Sequence, residues 1–284
     1  MGMNGTTDAR ALSASLQDAL AAAGARASRA GRPLLIVFAD TRFGRIIDNW
    51  RRHIDAVGAG PFLVLALDDT LESRLRGEGV AVARAEFDGS TYDLWVRRSV
   101  IFAHLAASGI DFVHSDADAI WHRDVQPSLL ADGQDLVFSQ GTILPRDALD
   151  RWGFVLCCGL FAVRASPASA RFLAAASLRT AALRDDQLAI NQILAEADIA
   201  WQRADMARRW VRYGGARFEI HDRVLHGEAA SMGLRIALLP HAEYPRLPLP
   251  RSPGVAVSHP LTPAEAGAKE AALRALGLWR EEGA

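Results

Sequence analysis

Asp116 and Asp118 are separated by a single alanine, follow the apolar segment 110–113 and run directly into Ile120-Trp121. Two carboxylates one residue apart splay to opposite faces if a strand continues through them. If the chain turns there, both can converge on one hard cation. Magnesium and manganese favour oxygen ligands and leave coordination positions for substrate phosphates. Asp-x-Asp taken alone is equally compatible with a turn bearing two solvated aspartates. The hydrophobic flanks on both sides of this one favour chemistry. Asp185-Asp186-Gln187 is a second acidic group, and its simplest role is to cap the helix that follows it through Leu194.

The elements around these residues predict how they are held. Residues 8–30 read as an alanine-rich helix with Leu12, Leu16 and Leu20 on one stripe. The continuous apolar runs 34–39 and 62–67 end in polar residues, Asp40-Thr41 and Asp68-Asp69, as buried parallel strands do. A helix is expected over 46–57, a short strand over 80–82, a helix over 92–107 and a strand over 110–113. Strands alternating with helices imply an α/β fold, a mostly parallel sheet covered on both faces, with ligands at the carboxyl ends of its strands. Asp40, Asp68, Asp116 and Asp118 would all stand on that edge. The second half reads as more mixed, with strands at 136–138, 154–163, 199–203, 217–221, 234–239 and 255–257. Ser166-Pro167 starts a helix. Thr262-Pro263 is expected to start another, with Glu265 completing a capping box.

Composition narrows the function classes. The chain has 284 residues and a formal net charge of -1, so its bulk charge attracts neither nucleic acid nor an acidic membrane. The cluster Arg208, Arg209 and Arg212 reads as a solvated face. Adjacent Cys157 and Cys158 are poorly placed to bridge each other and lie in a hydrophobic run. Buried free thiols, and hence a reducing cytoplasm, are the expectation. No basic start leads into an apolar core, and no segment is long and apolar enough to span a bilayer. Any membrane contact would be peripheral. The chain is rich in arginine yet contains one lysine, Lys269.

The run His114-Ser115-Asp116-Ala117-Asp118-Ala119-Ile120-Trp121-His122-Arg123-Asp124 resembles the nucleotide-diphospho-sugar transferase family of GT-A fold, which includes plant xylosyltransferases acting on pectin. Cys158-Gly159-Leu160-Phe161, Asp186-Gln187-Leu188-Ala189-Ile190-Asn191, His259, Lys269 and Gly277-Leu278-Trp279 match it further, in the family's order. The resemblance implies a GT-A domain over 31–284, with a nucleotide-binding half at 31–125 and an acceptor and sugar half at 126–284. Residues 1–30 form a helical extension without a family counterpart.

It also implies roles. Asp118, Asp116 and His259 would hold a divalent metal, and a histidine ligand shifts preference towards manganese. Asp118 would bind the metal most directly, and Asp116 would contact the metal or the donor ribose. Lys269 would pair with the donor diphosphate, although its spacing from His259 is longer than in glycogenin-like enzymes. Asp185, Asp186 and Gln187 would lie near the transferred sugar. Arg97 or Arg98 would reach the donor phosphates, and Asp40 and Thr41 would border the uracil or ribose. Cys158 and Gly159 would let backbone approach the sugar closely.

The expected reaction is metal-dependent transfer from a UDP-sugar to an acceptor hydroxyl with retention of configuration. Inversion would need a carboxylate base such as Asp185 or Asp186. Two other readings are a phosphatase of the haloacid dehalogenase type and a non-catalytic sugar-nucleotide or glycan-binding domain. The phosphatase reading is weakened because Asp-x-Asp falls mid-chain and no lysine lies between Asp118 and Asp185.

Overall fold

The protein is described here by a computed structural model covering residues 11–86, 89–202, 208–213, 215–247 and 254–281. The elements run α1 (Ala14–Arg29), β1 (Leu34–Ala39), α2 (Gly44–Val57), β2 (Phe62–Ala66), α3 (Asp69–Gly77), β3 (Val82–Arg84), α4 (Thr91–Ala107), β4 (Phe112–Ser115) and β5 (Ile120–Trp121). The second half continues with β6 (Leu136–Gln140), α5 (Arg146–Trp152), β7 (Leu156–Val163), α6 (Pro167–Leu183), α7 (Asp186–Glu196), β8 (Ala200–Trp201), β9 (Arg208–Tyr213), β10 (Ala216–His221), β11 (Leu225–Ala229), β12 (Leu234–Leu238), β13 (Val257–Ser258) and α8 (Ala266–Ala275).

Nine strands form the main sheet in the order β3-β2-β1-β4-β7-β6-β12-β11-β8. The first four are mutually parallel, and only β7 and β11 run against the others. This is the expected α/β sheet, with its mixed region in the second half. Strand β1 shows why the apolar run is continuous. Leu34, Ile36 and Phe38 face one core, with α1, α4 and α6, whereas Leu35, Val37 and Ala39 face the other, with α2 and α3. Helix α1 is packed into the first core through Leu16, Leu20, Ala23 and Ala27. Each of the two leucines, fully buried, contributes about 1.5–3 kcal/mol, and each alanine methyl less.

Several boundaries differ from the sequence expectation. Helix α1 begins at Ala14, and positions 8–10 lie outside the described residues. Strand β3 starts at Val82 because the Val80 amide closes α3 by donating to Leu75 O. Helix α8 begins at Ala266, and Glu265 at its N-cap makes no side-chain cap. The Thr262 hydroxyl, expected to cap that helix, donates instead to Asp118 Oδ2 at 2.8 Å. Strand β9 was not anticipated, since its arginines mask the alternation. It forms a separate hairpin with β10.

Two buried histidines away from the acidic turn make stability depend on pH. Burial, with Arg280 nearby, pulls His53 down to about 4. Burial and Arg209, opposed by Asp222, do the same to His241. Both fold in the neutral form, so the stability they confer is complete above their unfolded pKa of about 6.5 and is lost as pH falls from there towards about 4. Each contributes on the order of 3 kcal/mol at most. Urea melts are expected to show a falling midpoint between pH 7 and pH 4.5. A flat profile for the wild type, or an unchanged slope in His53→Gln/His241→Gln, would contradict this.

Candidate active site

Strand β4 delivers Asp116 to the carboxyl edge of the sheet, where the chain turns. The Asp116 amide donates to Gly159 O at 2.7 Å, and the Ala119 amide donates back to Asp116 O at 3.0 Å. Ser115, fully buried, accepts from the indoles of Trp50 and Trp121 at 3.1 and 3.2 Å and donates to Asp116 O. The buried tryptophan that made the motif conspicuous in sequence therefore pins the turn. Strand β5 then pairs with β13, placing Ile120 opposite Ser258 and bringing His259 beside the two aspartates.

One ligand atom from each of Asp116, Asp118 and His259 lies within 4.8 Å of the others. His259 Nε2 is 3.4 Å from Asp118 Oδ1 and 3.6 Å from Asp116 Oδ2. Lys269 donates to Asp118 and, at 2.6 Å, to Thr262 Oγ1. Burial works to raise the Asp118 carboxyl, but His259 and Lys269 hold it well below the usual range. Behind His259, Cys157 Sγ lies 3.9 Å from Nδ1 and accepts from the Gly159 amide, and Arg246 donates to His259 O. Burial would push the Cys157 thiol up; Arg246 and His259 bring it down to about 6. Both cysteines are free and buried.

Asp116 is braced from the other side. Arg98 Nη1 donates to Asp116 Oδ1 at 2.9 Å, while its Nε donates to Asp186 Oδ2 at 2.7 Å. Arg98, His114 and Asp186 are all buried. Burial raises the Asp186 carboxyl and Arg98 opposes it. For Asp116, burial is outweighed by Arg98 and His114, and the carboxyl stays well below its ordinary value.

Asp185 caps α7 by accepting from the Leu188 amide. Gln187 accepts from the Cys158 amide at 3.1 Å and donates to Leu144 O at 2.9 Å, stapling α7 to β7. Asp186 is thus directed at Arg98 and away from the open cleft, and Gln187 is engaged by backbone.

A cavity of about 420 Å³ opens in front of the acidic turn, lined among others by Asp40, Phe43, Trp95, Arg98, Asp116, Asp118 and Lys269. Asp40 accepts from Arg42 and from the Phe43 amide there. Thr41 is exposed, and its hydroxyl donates to Asp68 Oδ1. Asp68, on the same edge, also caps α3. The phase of α4 turns Arg97 away, to Ala11 O and Glu86, and presents Arg98. Cys158 contributes its side chain to the core and only its backbone to the site. Residues the sequence reading left out are Thr262, Phe43, Trp95 and Cys157. The aromatic pair Tyr92 and Trp95 on the first turns of α4 was the available signal for the cavity wall.

The donor set of two carboxylates and an imidazole suits manganese or magnesium, and Gly159 leaves the room for them to converge. A Cβ on Gly159 would overlap the His259 ring and lie 2.5 Å from Asp116 Oδ2. Gly159→Ala is expected to lower activity about 100-fold, as a misplacement of about 1 Å in a reacting site can, with a fall in thermal midpoint of the size that about 1–3 kcal/mol of overpacking gives. Wild-type activity in that variant would show that the cluster does not need this close approach.

A family model described as nucleotide-diphospho-sugar transferase matches residues 59–244. A search of curated proteins finds no match. Among solved structures, the galactosyltransferase LgtC in complex with donor and acceptor sugar analogues aligns at 12% identity, with 88% of this chain and 97% of that chain covered and a TM-score of 0.44. Glucosyl-3-phosphoglycerate synthase from Mycobacterium tuberculosis in complex with Mn2+, uridine diphosphate and phosphoglyceric acid aligns at 16%, covering 71% and 90%, with a TM-score of 0.31. Likenesses this distant carry no weight in assigning a substrate. With the family match spanning most of the chain and the acidic turn lying inside it, the protein belongs to the nucleotide-diphospho-sugar transferase family and is a glycosyltransferase of GT-A fold.

Proposed function

We propose that this protein moves a sugar from a UDP-sugar to an acceptor hydroxyl, with a divalent cation, Mn2+ by preference, held by Asp116, Asp118 and His259. The observation that carries the reading is the convergence of those three side chains, two of which, Asp116 and Asp118, line a cavity of about 420 Å³, a volume within the range of small-molecule sites. A cation bound there supplies Lewis-acid stabilisation of the departing diphosphate. Lys269 offers its ammonium to charge that builds on the phosphates, while Arg98 acts through Asp116, which its guanidinium holds. Asp40, Phe43 and Trp95 border the part of the cavity assigned to the nucleoside. Residues 31–125 supply most of that side, and 126–284 the sugar and acceptor side. Residues 1–30 are an extension whose helix packs on the core.

Retention of configuration is the stereochemistry we infer. An inverting reaction needs a carboxylate free to take the acceptor proton. Asp185 is engaged by the Leu188 amide and Asp186 by Arg98. No helix among the described residues is long and apolar enough to cross a membrane, and the two free buried thiols fit a reducing compartment, the cytoplasm.

Thermal-shift titrations with UDP, GDP and a panel of their sugars, each with and without Mn2+, test the proposal. A stabilisation requiring UDP and metal together is the expected result. The anomeric configuration of the product, read by NMR, tests retention. Equal stabilisation by GDP, or by UDP without metal, would count against the donor and the metal respectively.

A further inference from the structure

We propose that His114 is a positioning residue for the metal site: it fixes Asp116 Oδ1 so that Oδ2 is turned towards His259, with which it would hold the cation. This rests on the metal-dependent reading above. His114 lies on β4 and is fully buried. Its ring is enclosed by Phe38, Phe102 and Phe161, with centroids at 5.7, 5.1 and 5.6 Å. That cage leaves the imidazole little room to rotate. Its Nε2 is 3.1 Å from Asp116 Oδ1.

The surroundings assign the tautomer. His114 Nδ1 is buried without a hydrogen-bond partner. A proton there would be an unsatisfied buried donor, and it would leave an Nε2 lone pair facing a carboxylate oxygen. With the proton on Nε2 the ring donates to Asp116, and only a bare lone pair faces the aromatic cage. Arg98 Nη1, 3.3 Å from Nε2, then donates alongside it to the same oxygen.

Arg98 alone does not set the carboxylate's angle. Its Nε and Nη2 are committed to Asp186, so Asp116 receives one bond from it, and a carboxylate held by a single donor can pivot about that bond. A second donor from a caged ring removes the pivot. Asp116 Oδ2, which neither group touches, is the oxygen 3.6 Å from His259 Nε2. Partners behind a metal's ligands commonly act in this way, and their loss costs about 10- to 100-fold in metal affinity.

The test is Mn2+ affinity in the presence of UDP, by electron paramagnetic resonance or calorimetry, in full-length His114→Gln, His114→Asn and His114→Leu, with the thermal midpoint recorded for each. The glutamine amide reaches roughly where Nε2 stands, whereas the asparagine amide is too short. Mn2+ binding close to wild type in His114→Gln, with about 10- to 100-fold weaker binding in His114→Asn and His114→Leu, is the expected pattern. If the leucine variant does not fold, the comparison of glutamine with asparagine decides alone. Equal affinities in the glutamine and asparagine variants, or wild-type affinity in the leucine variant, would reduce His114 to a packing residue. A wild type that binds no Mn2+ with UDP would overturn the metal reading and this inference together, whereas unaffected variants of a wild type that binds would overturn this inference only.

Discussion

Asp118→Ala is expected to lower sugar transfer on the order of 10³-fold or more and to abolish metal-dependent donor binding, with the fold retained. The magnitude follows from what the carboxylate touches. Asp118 faces His259, Lys269 and Thr262, so its removal takes away a negative charge and leaves Lys269 facing the cavity with His259 behind it. A cation at that position would lose one anionic donor and meet an ammonium no longer neutralised by Asp118. Charge stabilisation in a water-poor site is usually the largest single contribution to catalysis. Stability should change far less. Lys269 is partly exposed and can extend into solvent, and a neutral alanine beside Ala117 and Ala119 leaves no unpaired buried charge. Asp118→Asn separates charge from shape: it can still accept from Thr262, so a loss equal to that of alanine would assign the effect to charge. Transfer assays across a Mn2+ titration, with thermal midpoints for both variants, provide the measurement. Undiminished transfer by either variant would remove Asp118 from the reaction.

The second large effect is on stability. Arg98 is buried between Asp116 and Asp186 and joins α4 to both β4 and α7. Arg98→Met preserves much of the side chain's length but leaves the buried Asp186 carboxylate without a cation. Breaking a buried pair in this way costs about 3–5 kcal/mol. The cost is bounded because burial already raises the Asp186 carboxyl; without Arg98 it takes up a proton instead of remaining charged. For a chain of this size the thermal midpoint is expected to fall roughly 10 °C. Replacing both partners, Arg98→Met with Asp186→Leu, removes the orphaned charge and should recover a large part of that loss. Transfer should stay depressed in the double variant, because Asp116 still lacks its guanidinium. If the double variant is less stable than Arg98→Met, the pair is not coupled as the geometry indicates.

These two expectations separate the halves of one site. Asp118 and Lys269 line the cavity, with His259 and Thr262 beside them, and substitutions on this side alter chemistry. Arg98, His114 and Asp186 form a buried side, where substitutions also loosen the connection between the sheet and α7. The acidic pair at 116 and 118 spans both: Asp116 is braced by Arg98 and His114, and Asp118 is tied to Lys269, Thr262 and His259.

Much of this could be read along the chain. The continuous apolar runs at 34–39 and 62–67 marked strands buried on both faces, because each residue's alternate neighbours must face a different core. The polar residues ending them marked the sheet edge where Asp116 and Asp118 stand. Asp185 as a helix cap was equally local, since a capping carboxylate reaches only the amides just after it. Family resemblance, not pattern, drew attention to His259, whereas Lys269 also stood out as the one lysine of an arginine-rich chain.

Tertiary structure decided the rest. Position 259 meets position 118 only because β13 pairs with β5, and no local periodicity encodes that partner. Arg97 and Arg98 are indistinguishable by composition, yet one residue is about 100° of helix rotation, enough to send one to Glu86 and the other into the site. Thr262 looked like a helix cap because its competing acceptor, Asp118, lies 144 positions earlier in the chain. Local propensity sees the nearest few residues. A buried carboxylate recruits donors from wherever the fold brings them, and those long-range satisfactions are what converted a two-aspartate turn into a site.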